Sequence, residues 1–150
     1  MPTLSRYFLK GALLCLAIGM VPGALILCQK GTGWLPGLWV LLPAHTYLVL
    51  IGGMSQFTLG MCYWLFPRFD GGTSRGNTTL AWTSYVLLNM AIGLVVLHPI
   101  LQELLGSVAS QLAFAGAGML QIGAACTFVL HIWPRIRPSE SIPRRVLPRP

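Results

Sequence analysis

Four long runs without a charged residue constrain the fold of this chain more than any other feature of its sequence. No Asp, Glu, Lys or Arg occurs in residues 11–29, 31–67, 76–102 or 104–134. Each run can supply the roughly 20 apolar residues that a membrane-crossing helix requires. Only 9% of all residues are charged, against about 25% in a typical soluble domain. The sequence therefore predicts an integral membrane protein.

The predicted fold is an all-α, up-down bundle of four membrane-spanning helices, formed by one domain over residues 1–134. Loops rich in glycine and proline separate the charge-free runs, so neighbouring helices are expected to be antiparallel. Residues 135–150 form a separate basic, proline-rich tail. We place the four spans at about 8–28, 38–66, 79–98 and 108–133, the third ending at His98 and Pro99.

Basic residues are distributed unevenly over the predicted bundle. With a cytoplasmic N-terminus, only Lys30 lies on the outer side, and nine of the ten Lys and Arg residues lie on the inner side. This follows the positive-inside rule, so we expect a multi-pass protein of the cell (inner) membrane with both termini in the cytoplasm. The same placement explains the net charge of +7 without nucleic acid binding. The tail is expected to lie on anionic lipid headgroups of the bilayer.

The polar residues of the second predicted span fall on one helical face. At 100° per residue, Gly52, Gln56 and Tyr63 lie within about 20° of the direction of His45. Polar groups are costly in lipid unless they find partners. This face is therefore expected to point into protein, with the other helices arranged around it.

Small and polar residues predict where the other spans approach their neighbours. Span one contains Gly19-x-x-x-Gly23 with Pro22 between them, a pattern typical of a kinked helix that allows close helix approach. Asn89 in span three is expected to hydrogen-bond a neighbouring helix. The four cysteines form no C-x-x-C motif and are expected to be buried, apolar thiols.

Histidines are the main candidates for chemistry in this chain. The spans contain no carboxylate, which argues against a carboxylate-relay pump or a cation exchanger. His45 is predicted about 10 Å inside the outer end of its span, His98 at the outer end and His131 near the inner end. Imidazole is a common ligand for haem iron, copper and zinc. For each histidine, the alternative is a structural hydrogen bond.

One stretch resembles a helix of a known enzyme family. The pattern His45-Thr46-Tyr47-x4-Gly52-x7-Gly60-x2-Tyr63-x3-Pro67 is similar to a helix in the catalytic subunit of haem–copper oxidases and nitric oxide reductases. The likeness is greatest to the cbb3-type oxidases and the small membrane proteins related to them. Their helix has the pattern His-x-His-x4-Gly-x7-Gly-x2-Tyr-x3-Pro, in which the first His binds the high-spin haem and the second the low-spin haem. The match covers residues 43–67 and extends loosely into 78–96.

The resemblance implies that His45, which falls on the first histidine, is an axial ligand of haem b. Tyr47 stands at the second histidine, so the low-spin haem ligand is absent, and we do not expect the chain alone to reduce oxygen or nitric oxide. We assign no catalytic residue. A sixth ligand could be His98, a methionine such as Met119, or water, or the iron could have no sixth ligand. The residues predicted to line the cofactor site are His45, His98, Gly52, Gln56 and Tyr63.

Two functions follow from these observations. The first is a small b-type haem protein, or the haem-bearing subunit of a respiratory or oxidase-like complex, acting in electron transfer with haem between spans two and three. The second is a cofactor-free structural or accessory subunit that docks on larger membrane subunits or on itself. A weaker third hypothesis is copper or haem handling by methionines and cysteines that share no evident face: Met20, Met54, Met61, Cys15, Cys28, Cys62 and Cys126.

Overall fold

Helices make up nearly all of the part of this protein that the structure describes. A computed structural model describes residues 1–33, 36–67 and 75–136, and within these ranges there is no β-strand. The predicted all-α class is therefore confirmed. Three helical stretches are long and apolar enough to cross a membrane: Thr3–Thr32, Leu38–Leu65 and Thr78–Arg135. Except for its first two residues, the predicted tail lies outside the described residues.

Helix α1 (Thr3–Thr32) is a single helix that continues through Pro22. It ends where Gly33 adopts a left-handed φ of 70° and donates its N–H to the Gln29 carbonyl at 2.8 Å. Glycine adopts this conformation without the steric penalty that a Cβ would bring. The helix is longer at both ends than the predicted span 8–28.

The second stretch, Leu38–Leu65, combines three kinds of helix, and we call it the composite helix. A 3₁₀ turn is followed by α2 (Leu42–Thr46), a π-helical segment (Tyr47–Ser55) and α3 (Gln56–Leu65). The 3₁₀ turn, Leu38–Leu41, ends two residues before Pro43. The π-helical segment was not predicted, and it changes the turn per residue between His45 and Gln56.

The third stretch, α4 (Thr78–Ile132), folds back on itself. Its helix passes through His98 and Pro99, where the sequence predicted its end, and breaks at Gly106 (φ 82°, ψ 174°). Proline removes one backbone donor, whereas this φ and ψ combination is open essentially to glycine alone. The first arm (78–105) and the second arm (107–132) are antiparallel, since the Ser84 hydroxyl donates to the Ala124 carbonyl at 2.8 Å.

Glycines hold α1 and the composite helix close together. A Cβ added at Gly52 would lie 2.7 Å from Cys15 Cβ, and one at Gly60 would lie 2.7 Å from Phe8 Cβ. At Gly19, an added Cβ would lie 2.8 Å from a side-chain atom of the composite helix. The close approach predicted from Gly19-x-x-x-Gly23 is therefore confirmed.

The apolar core lies where α1, the composite helix and both arms of α4 meet. Its buried side chains include Phe8, which is fully inaccessible, and Tyr63, which is 3% exposed. The complete buried cluster comprises Leu4, Phe8, Leu48, Tyr63, Ala81, Leu88, Ile92, Ala124, Phe128 and Ile132. Burial of Gly52, Gln56, Gly60 and Tyr63 confirms that the predicted polar face of the second span points into protein.

Candidate functional site

His45 lies in the last turns of α2, and its imidazole packs directly on α1. Nδ1 lies 2.8 Å from the Gly19 carbonyl oxygen. The ring lies over Gly23, where an added Cβ would be 2.8 Å from Nδ1 and 3.1 Å from Nε2. Gly19 supplies the carbonyl acceptor, and Gly23 lacks the side chain that would occupy the place into which this ring fits.

The hydrogen bond at Nδ1 determines the protonation pattern of the neutral His45 ring. A carbonyl oxygen only accepts, so Nδ1 carries the proton and donates it to Gly19. In the neutral imidazole, Nε2 is then a lone-pair acceptor, and it has no hydrogen-bond partner among the described residues. Metal-binding histidines commonly have this arrangement, with one nitrogen fixed by a carbonyl and the other available as ligand.

The His45 ring lines a cleft of about 560 Å³ between α1 and the composite helix, which we call the His45 cleft. Its walls are apolar except for His45, Lys30 and the indole of Trp39. Ligand-binding clefts in proteins usually measure about 300–1,000 Å³ and combine apolar walls with a few polar groups. The His45 cleft has both properties.

Gln56, another predicted site residue, lies outside this cleft. Its side chain is fully buried against Gly11 of α1, and its Nε2 lies 3.5 Å from Asn89 Oδ1, a long hydrogen bond. Asn89 also donates to the Tyr85 carbonyl of its own helix at 2.8 Å. The inter-helix contact predicted for Asn89 is therefore present, and Gln56 links the composite helix to α4.

Protein fills the space beside Gly52, where the sequence predicted room for haem between the second and third spans. The space beside Gly52 is occupied by the Cys15 side chain, and Ile92 lies next to it. The Tyr47 hydroxyl donates to Gln121 Oε1 on the second arm of α4. The His45 cleft lies instead between α1 and the composite helix.

His98 does not join His45 in the cleft. Its ring contacts Phe114 edge-on, with ring centroids 4.7 Å apart, and neither His98 nor Met119 lines the cleft. Met20 is the sulfur-bearing side chain that does. Within the described ranges, no group of three His, Cys, Asp or Glu side chains could hold a metal ion. The described structure thus supplies one imidazole to this site.

Tyr63, the last predicted site residue, belongs to a separate cluster at the far end of α4, which we call the Arg135 cluster. Tyr63 stacks on His131, with ring centroids 5.4 Å apart. Arg135 is 1% exposed, and it donates from Nε to the Pro67 carbonyl at 2.9 Å and from Nη2 to the Phe66 carbonyl at 2.6 Å. Helix C-termini leave carbonyls without intrahelical partners; Arg135 also donates to the Tyr63 carbonyl of α3 at 3.3 Å, so it bonds the end of α3 and the two residues just after it.

His131 is fully engaged within the same cluster. Nδ1 donates to the Asn77 carbonyl at 2.9 Å, and Nε2 lies 3.4 Å from Nη1 of Arg135. Both nitrogens are occupied, which makes this ring a structural residue. Sequence reasoning treated Arg135 only as a topology determinant. The available signal was a histidine followed four residues later by an arginine at the end of an apolar helix.

Comparisons with protein-family models, curated proteins and solved structures found no match to this chain. The oxidase-like pattern over residues 43–67 therefore stays a prediction from the residues themselves.

Proposed function

We propose that this chain is an integral protein of the cell (inner) membrane, with four membrane-crossing helices in an up-down bundle and cytoplasmic termini. The break at Gly106 supports this topology because it divides α4 into two antiparallel arms, each about the length of a span. Large apolar side chains remain exposed along the helices, among them Leu27 at 70% and Leu104 at 75%. Soluble proteins rarely expose such extended apolar surface.

In this membrane, the chain acts as a small b-type haem protein or as the haem-bearing subunit of an electron-transfer complex. One observation carries the proposal: His45 Nδ1 is fixed by Gly19, while Nε2 has no partner and its ring lines an apolar cleft of about 560 Å³. When bound, haem supplies one-electron exchange at iron. His45 would hold the iron, and the apolar walls would exclude water and tune the potential.

The described residues fit a site with one protein ligand. The residues that would bind further metals or activate a substrate are not present in the cleft, so we propose electron transfer and not oxygen or nitric oxide reduction. The other predicted site residues of the composite helix have a structural role, because they pack α1, α4 and the Arg135 cluster against this helix. They are Gly52, Gln56 and Tyr63.

The absorption spectrum of the purified protein tests this function. After haem-replete expression, wild type is expected to show a Soret band that His45→Ala abolishes. His98→Ala is the matched control and is expected to keep the band, because His98 lies outside the cleft. Circular dichroism establishes that all samples are folded. A folded wild type without a Soret band, or a His45→Ala variant that retains it, contradicts the proposal.

A second candidate function is a cofactor-free accessory subunit of a larger membrane complex, made with other membrane proteins or with a second copy. The filled space beside Gly52 and the bond between Tyr47 and Gln121 favour it, since both place protein where the sequence predicted haem. Crosslinking in native membranes is expected to give a defined complex. A chain that stays monomeric in the bilayer argues against this function.

A further inference from the structure

Lys30 lies in the last turn of α1 and lines the same cleft as His45. Among the residues that the structure describes, it is the only charged side chain in the cleft lining, and no carboxylate lines the cleft with it. The His45 ring lies over Gly23, seven residues before Lys30, which corresponds to about 10 Å along the helix axis. The cleft thus has an imidazole at one end and an amine at the other.

Trp39, in the 3₁₀ turn that opens the composite helix, is another lining residue with a hydrogen-bond donor. Trp39 lines the cleft and is 53% exposed, and an indole N–H is a donor only. The remaining lining residues are apolar or glycine. The lining therefore combines largely apolar walls with an amine and an indole that can both donate hydrogen bonds.

We propose that Lys30 and Trp39 form a carboxylate-binding rim, and that the occupant of the His45 cleft is an apolar macrocycle carrying carboxylate arms. This inference rests on the proposed function and specifies its ligand. A carboxylate is costly in an apolar surrounding unless it is paired, so its place is at the amine of Lys30, a residue about two helical turns beyond Gly23. The same macrocycle with its carboxylates esterified is uncharged, so Lys30 does not strengthen its binding.

The His45 imidazole favours a macrocycle over a lipid chain as the occupant. An acyl chain with a terminal carboxylate could pair with Lys30, but it would place only hydrocarbon against Nε2. That nitrogen would then remain without a partner in apolar surroundings, which is unfavourable. A macrocycle that can carry a central metal satisfies both ends of the cleft.

Binding of metal-free protoporphyrin IX and its dimethyl ester tests the rim without using iron. The full chain in nanodiscs of zwitterionic lipid is titrated with each compound, and quenching of tryptophan fluorescence is measured against protein-free nanodiscs. We expect the free acid to bind about five-fold more tightly than the diester, the change that a partly exposed ion pair supplies. Lys30→Gln removes this preference. Lys10→Gln, at the opposite end of α1, retains it.

Each outcome bears on the rim separately from the haem proposal. Equal binding of acid and diester to wild type, or an unchanged preference in Lys30→Gln, overturns the rim. Displacement of the macrocycle by an equal concentration of oleate, with the same dependence on Lys30, overturns the macrocycle as occupant. An acid preference in a protein without a Soret band supports the rim and rejects iron binding by His45. A Soret band without a preference for the free acid supports iron binding by His45 and rejects the rim.

Discussion

A buried arginine must find acceptors for its N–H groups, and Arg135 finds them in the backbone. Its guanidinium is 1% exposed and bonds the carbonyls of Tyr63, Phe66 and Pro67 at distances from 2.6 to 3.3 Å. A positive charge at a helix C-terminus also complements the helix dipole. Arg135 therefore contributes to the predicted topology by its charge, and it also joins the end of α4 to the end of α3.

Removing this guanidinium is expected to destabilise the fold. Arg135→Ala leaves buried carbonyls without donors, and we expect a loss of about 1–3 kcal/mol in the free energy of unfolding. Arg135→Lys restores the charge but not the forked geometry, so it recovers only part of this loss. Unfolding in detergent followed by circular dichroism measures all three proteins. Arg6→Ala, an exposed control, should change stability by less than about 0.5 kcal/mol; equal losses for Arg6→Ala and Arg135→Ala would contradict a capping role.

At the scale of elements, the contact between α1 and the composite helix depends on glycines and on the π-helical segment. Two consecutive glycines of that segment, Gly52 and Gly53, are buried and face Cys15 and Leu16 of α1. The Ser55 hydroxyl donates to the Leu50 carbonyl five residues earlier at 3.0 Å, consistent with the wider turn. The missing side chains let the two helices approach closely directly below the His45 cleft.

Adding a methyl group inside this contact is expected to push the two helices apart. At Gly52, a new Cβ meets Cys15 Cβ at 2.7 Å and Sγ at 2.8 Å. Overpacking of this kind costs about 1–3 kcal/mol, so Gly52→Ala should lower the unfolding temperature. At Gly116, nothing lies within 4 Å of an added Cβ, and Gly116→Ala should be neutral or stabilise by up to about 1 kcal/mol through helix propensity. Similar shifts for the two variants would show that the contact is looser than described.

At the scale of the whole molecule, Gly106 determines how the last two helical arms are connected. A single unbroken helix of 55 residues would extend about 80 Å at 1.5 Å per residue, far beyond the roughly 30 Å hydrocarbon core of a bilayer. The reversal instead lets the second arm pack against the first and against Tyr47. It also places both ends of α4 on the side where α1 begins.

This topology predicts which side of the membrane each terminus occupies. In a background with all four cysteines replaced, Gly31→Cys should react with a membrane-impermeant maleimide in intact spheroplasts, since Gly31 is exposed and lies at the end of α1 assigned to the outer side. Ile136→Cys, at the other end, should react only after permeabilisation. Gly31→Cys is expected to disturb the fold little, because nothing lies within 4 Å of a Cβ added at Gly31. Labelling of both variants from the same side would reject a four-span arrangement.

The sequence by itself determined the helical class, the long apolar stretches and the inward direction of the face that carries Gln56 and Tyr63. These properties depend on hydrophobicity and periodicity along the chain, which are local. It also indicated a close helix contact at Gly19, because small residues at helical spacing leave room whatever the partner is.

Only the tertiary structure decided which groups meet. The carbonyl that accepts the hydrogen bond from His45 belongs to Gly19, 26 residues earlier in the sequence. The carbonyls that accept from Arg135 lie 68–72 residues before it. The π-helical segment and the reversal at Gly106 change the direction of the chain without a distinctive residue pattern. The position of the His45 cleft therefore follows from how α1 and the composite helix pack, a property of pairs of helices that no single stretch of sequence contains.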